Sequence, residues 1–135
     1  MKDWKKTLVS PETPILDVMK VIDQSALQIA LVVNERNELL GTVTDGDLRR
    51  AIIRGMKLDQ FVSEIMNTKP IVCGRDKGRD EILAIMDLEF IHHLPVVDKE
   101  KGTLIGLEVR DEITYREEQE NVVVLMAGGL GSRLR

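Results

Sequence analysis

Apolar positions along the chain fall into short solid runs and helical stripes that alternate, and the whole alternation occurs twice. Leu8-Val9 is an apolar pair that predicts a short strand. Thr13-Pro14 follows, a hydroxyl suited to an N-cap and a proline suited to a first turn, with Ile15, Val18, Met19 and Ile22 after it at helical spacing. Ile29 to Val33 is a strand-length apolar run, Asn34 to Glu38 supplies turn chemistry, and Leu39 to Val43 returns as the second arm of a hairpin. Thr44-Asp45-Gly46-Asp47 then opens a second helix through Leu48, Ala51, Ile52 and Ile53.

The same order recurs downstream. Ile71-Val72 predicts a short strand, and Asp80 to Glu89 a helix with Ile82, Ile85 and Met86 on one face. His93 to Val97 and Thr103 to Leu107 predict hairpin strands around a turn at Asp98 to Gly102, and Val109 to Tyr115 begins a last helix. The hairpins agree residue by residue: ALVVN (Ala30 to Asn34) aligns with LPVVD (Leu94 to Asp98), and Leu40-Gly41 with Ile105-Gly106. Each copy, about 50 residues long, is too small for a robust core of its own, so the two are expected to pack together. Between them Leu58, Phe61, Val62, Ile65 and Met66 predict an amphipathic connecting helix that stops before Asn67 and Pro70. Beyond the second copy, Arg116 to Asn121 is a charged link and Val122 to Leu125 an apolar strand.

Composition narrows the function classes. With 43% hydrophobic and 31% charged residues the chain reads as globular, and no apolar run approaches the ~20 residues of a membrane span. The N-terminus MKDWKKTLV lacks a signal-peptide core, and one cysteine, Cys73, excludes an internal disulfide, which together point to the cytoplasm. A net charge of -4 and 3% aromatic residues argue against a nucleic-acid binder. His92, His93 and Cys73 do not reproduce zinc-site spacing, and no nucleophilic triad is evident, so no metal site and no catalytic residue is expected in the repeats. Cys73 and the methionines at 19, 66 and 86 read as core.

Taken together, the tandem β-α-β-β-α repeat, GTVTDGDL after the first hairpin, SEIMN before the second copy and HLPVVD within it resemble the CBS-domain pair over roughly residues 4 to 115. The resemblance implies an α+β fold in which two repeats pack about a pseudo-twofold axis. It also implies an adenine nucleotide or related adenosyl ligand in a cleft between the repeats, assembly as a homodimer, and regulation of a fused domain. Thr44 and Asp47 have a local explanation as cap and first-turn carboxylate of a helix. The resemblance adds a second role: ribose recognition by the Asp47 carboxylate, with Thr44 on the sugar or phosphate. The second copy has Val109 and Glu112 at these positions, so its own cleft is expected to be empty or altered. His93 stands where the family often places a basic residue facing ligand phosphate, and Arg49 and Arg50 are further candidates for phosphate contact. A ligand-free, purely dimerising module is the competing expectation.

The last residues, LMAGGLGSRLR, carry a separate signal. They fit neither a Walker loop, for want of the lysine, nor a dinucleotide fingerprint, since Leu134 stands where glycine or alanine is required. They resemble the signature loop of sugar-phosphate nucleotidyltransferases, which implies phosphate binding by the backbone of Gly128, Gly129 and Gly131, with Ser132 and Arg133 at the reacting pyrophosphate. The magnesium ion and sugar-binding loops of such an enzyme have no counterpart in this stretch. The expected organisation is therefore a first repeat over residues 1–57, a connecting helix and second repeat over 58–118, and in 119–135 the link, first strand and glycine loop of a catalytic domain that continues in a longer parent. The fragment itself is not expected to catalyse anything.

Overall fold

The computed structural model describes residues 3–113. The apolar run at Leu8–Val9 forms β1, which pairs in parallel with β2 (Ile29–Val33). β2 pairs antiparallel with β3 (Leu39–Thr44), placing Ile29 opposite Thr44 and closing a three-stranded sheet. Two helices, α1 (Ile15–Ser25) and α2 (Asp45–Ile53), cover it. Their apolar stripes meet the sheet at Ile15, Val18, Ile22, Ala30, Val32, Val43 and Leu48. The second repeat repeats the plan with α3 (Arg79–Glu89), β4 (His93–Val97) and β5 (Leu104–Val109). β4 and β5 pair antiparallel with His93 opposite Val109, and both hairpins carry a register shift at the same place, Val32/Val33 and Val96/Val97.

Several elements depart from expectation. Thr13 does not cap α1: Pro14 is the N-cap, and the Thr13 hydroxyl instead accepts from the Ser10 N–H. The predicted strand at Ile71-Val72 reduces to one parallel bridge, Cys73 to Val96, which corresponds to Val9 against Val32 in the first repeat. Val109 ends β5 rather than starting a helix, and helical backbone begins at residue 110.

The connecting helix is absent. Only a 3-10 turn, Val62–Glu64, forms in that stretch. The physical reason is competition for backbone partners. The N–H groups of Ile15 and Leu16, which have no partner within α1, donate to the carbonyls of Gln60 and Leu58, and the Val62 N–H donates to Thr13 O. The segment thus serves as an edge for the first repeat, and its carbonyls are used across the chain rather than along a helix. Farther on, Thr42 and Asn67 exchange both backbone hydrogen bonds (3.1 and 2.9 Å). Val62 is fully buried in the first core, with Ile65 and Met66 packed against it.

The two repeats meet about a pseudo-twofold axis that the hydrogen bonds locate. The Leu39 N–H donates to Gly102 O (3.4 Å), and its counterpart, the Leu104 N–H, donates to Asn37 O (2.9 Å), around a bridge between Glu38 and Thr103. Asn37 and Gly102 both hold left-handed backbone, φ 63° and 75°, which glycine and asparagine tolerate best. Leu27, Ile29 and Leu31 of one repeat form a shared core with Val97 and Leu104 of the other, against which Trp4 packs. A third cluster, Cys73, Ile82, Met86, Leu94 and Ile113, fills the second repeat.

Candidate functional site

The site begins at the junction of β3 and α2. Thr44, the last residue of the strand, is also the helix N-cap. Its hydroxyl accepts the Asp47 N–H (3.3 Å) and donates to Asp47 Oδ2 (3.1 Å). Asp47 Oδ2 also accepts the Thr44 N–H (2.9 Å), completing a reciprocal capping box. The other carboxylate oxygen, Oδ1, accepts from Arg50 Nη2 at 2.6 Å. Arg50 lies three residues after Asp47 on the same helical face, as Asp47 lies three after Thr44. The pair is solvent-accessible, with the Arg50 side chain 61% exposed, so it stabilises by about 0–1 kcal/mol and can be exchanged cheaply.

These groups form one wall of a hollow of ≈ 550 Å³ between the repeats. Across it lie Phe90, Ile91, His92 and His93 from the α3–β4 connection, with Lys69, Pro70 and Ile71 from the segment that leads into the second repeat. That volume falls within the roughly 300–1,000 Å³ usual for small-molecule sites. The wall of carboxylates and Arg50 faces one of apolar groups, imidazoles and Lys69, an arrangement suited to a ligand that is part flat and apolar, part hydroxylated and anionic.

His93 is in the hollow but already engaged. Its Nε2 stands 2.6 Å from the carbonyl oxygen of Leu27 in the other repeat. A carbonyl only accepts, so Nε2 carries the proton there. Burial holds the imidazole below its ordinary 6.5, with the hydrogen bond to Leu27 pulling more weakly the other way. In the neutral form Nδ1 presents a lone pair, which repels phosphate oxygens. The geometry therefore makes His93 first a tie between repeats, and an anion contact only when protonated.

Of the residues expected at the site, Thr44, Asp47, Arg50 and His93 line the hollow, and Arg49 does not. Arg49 lines a separate surface hollow with Met19, Asp23, Asp45 and Ile52 between α1 and α2. The three-residue spacing from Asp47 singles out Arg50 in the sequence itself. Lys69 and Phe90 carried no local signal: the pairing of Asn67 with Thr42 brings Lys69 to the hollow, and the packing of the two repeats brings Phe90. The glycine loop, Gly128, Gly129, Gly131, Ser132 and Arg133, lies outside the described residues. The symmetry-related hollow, ≈ 450 Å³, is lined by Trp4, Leu27, Val109 and Glu112 among others, and valine supplies no hydroxyl there. Cys73 is buried in the second core, and burial pushes its thiol above the ordinary value. No helix among the described residues is long and apolar enough to cross a membrane.

Comparison with known proteins bears on the fold. The family model of the CBS domain matches residues 5–54 and 62–107. Arabinose 5-phosphate isomerase GutQ of Salmonella typhi is 32% identical over 94 residues, covering 70% of this chain and 29% of that protein. The cytosolic domain of the Mg2+ channel MgtE, solved in complex with ATP, is 26% identical with a TM-score of 0.67, covering 80% of this chain and 43% of that one. The CBS domain pair of protein MJ0100, solved with 5'-methylthioadenosine and S-adenosyl-L-methionine, aligns with a TM-score of 0.75 at 20% identity, covering 84% and 88% of the two chains. The chain spans only 19% to 33% of the length of several curated relatives it matches.

Proposed function

The chain belongs to the CBS-domain family as a tandem pair of repeats, and from that premise we propose that it is a regulatory module binding an adenine nucleotide or related adenosyl ligand in the Thr44–Asp47 cleft. One observation carries the reading: a carboxylate, Asp47, is held by Thr44 at the rim of an inter-repeat hollow that also holds Arg50 and Lys69. Two adjacent ribose hydroxyls replace Arg50 on Asp47 Oδ1, and the released guanidinium turns to the phosphate. That some relatives were solved with ATP or S-adenosyl-L-methionine supports the choice of ligand class.

Calorimetric titration of AMP, ADP, ATP and S-adenosylmethionine into the wild type, Asp47→Ala and Asp47→Asn tests it. Binding to the wild type that weakens by tenfold or more in both variants, with circular dichroism unchanged, is the expected result. No binding at millimolar concentration sinks the ligand reading.

The second reading, a ligand-free dimerisation module, draws on a specific feature. Asp47 is satisfied without any ligand, and the first repeat exposes Leu16, Ile52, Ile53, Leu58 and Phe61. These apolar residues favour a homodimer through that face under either reading.

For the parent protein, the GGLGSR signature supports a fused sugar-phosphate nucleotidyltransferase that uses Mg2+ and whose activity the module controls. A reading frame that continues past Arg135 into a lysine and metal-binding aspartates, and nucleotide-dependent release of pyrophosphate by its product, is the expected outcome. A stop codon after Arg135 overturns it.

A further inference from the structure

Phe90 stands in a conformation and an environment that stability alone does not select. It terminates α3 in left-handed backbone, φ 57°, with its N–H on Met86 O. Its counterpart in the first repeat, Ala26, ends α1 the same way at φ 58° with its N–H on Ile22 O. The terminator is therefore a property of the repeat, met at one site by a small residue. Glycine or asparagine suits such a position, and a bulky aromatic is strained there. Phe90 is also 92% exposed, so its ring recovers almost nothing by burial. Two unfavourable features coincide at one residue, and that residue lines the hollow that holds Asp47. Backbone strain kept at the rim of a cleft is characteristic of functional positions.

We propose that Phe90 is a ligand-contacting residue of the Thr44–Asp47 cleft, its ring providing the face against which the flat base of the bound nucleotide stacks. The inference rests on the ligand reading above and adds to it the group that holds the base. An aromatic face is what a planar heterocycle gains from, since each base has a π-face whatever its hydrogen-bonding edge. On the protein side of the hollow Ile71, Ile91 and Pro70 complete an apolar lining, leaving the charged groups to the sugar and phosphate. Ligand binding then covers the ring that the free protein leaves in water.

The test measures affinity for the best ligand of the calorimetric panel in wild type, Phe90→Gly, Phe90→Tyr and Leu88→Ser, together with thermal stability. Leu88, 76% exposed on the same helix but outside the cleft lining, serves as the control. Phe90→Gly is expected to bind on the order of tenfold more weakly while its Tm is unchanged or raised, because glycine fits the left-handed backbone. Phe90→Tyr and Leu88→Ser are expected to bind as the wild type does. Wild-type affinity in Phe90→Gly overturns this inference and leaves the ligand reading standing. So does a Phe90→Gly protein that changes oligomeric state with affinity intact, which assigns the ring to a protein interface. A wild type that binds no member of the panel overturns the ligand reading and this inference together.

Discussion

Thr44 carries two demands through one hydroxyl. It caps α2 and it orients Asp47, which in turn holds Arg50 at 2.6 Å. Thr44→Val keeps the shape and removes the hydroxyl, so it is expected to cost about 0.5–2 kcal/mol in urea denaturation, with Thr44→Ser close to wild type. Because Asp47 loses one of its orienting bonds as well, the same Val variant is expected to bind nucleotide more weakly, and the Ser variant is not. His93 makes a different, pH-dependent contribution. Burial lowers its folded pKa from the ordinary 6.5, with neighbouring His92 lowering it further and Asp111 raising it. As pH falls through about 6.5 the unfolded chain takes up a proton before the native protein does, so stability drops with pH until the folded value is reached and then levels off. Wild type measured at pH 7.5 and pH 5.5 is expected to lose more stability than His93→Gln over the same interval. Equal losses in the two proteins would remove His93 from the account.

The segment between the repeats shows how elements are decided by partners outside themselves. Gly41 in β3 faces it: a Cβ there would meet Asn67 O at 2.7 Å and Met66 Sδ at 2.9 Å. Gly41→Ala must therefore push the segment off its paired position at Thr42, and a loss of roughly 1–3 kcal/mol is expected on thermal or urea unfolding. Gly106, its equivalent in the second repeat, has nothing closer than the Val96 side chain at 3.7 Å, so Gly106→Ala is expected to be nearly neutral. Helices α1, α2 and α3 and both hairpins were legible in the sequence because their apolar periodicity and their burial have the same local cause. The connecting helix was misread because Leu58, Phe61, Val62, Ile65 and Met66 sit at helical spacing while their backbone is claimed by residues 11–16 and 42. Within the site, Thr44 and Asp47 were legible as a capping box, and Arg50 was named as a phosphate candidate together with Arg49, which the three-residue spacing from Asp47 alone would have set aside. Phe90, Lys69 and the His93–Leu27 tie were not, since each depends on contact between residues far apart in the chain.

At the scale of the molecule the repeats are neither independent beads nor a single continuous sheet. Each has its own cluster, but Leu31, fully buried, belongs to the shared one with Val97 and Leu104. The cleft exists only where that shared core holds the two walls together, so binding and interface stability are linked by construction. Units of about 50 residues that share a core are expected to unfold jointly. Trp4, the single tryptophan, packs on the shared core and so reports on both halves by fluorescence. Ile82→Ala, deep in the second repeat's own cluster, is expected to lower stability by about 2–5 kcal/mol. It should move the Trp4 fluorescence transition and the far-ultraviolet circular dichroism transition to the same new urea midpoint, although Ile82 is not part of the cluster around Trp4. Two separated transitions, with Trp4 unmoved, would mean that the first repeat and its wall of the cleft fold without the second.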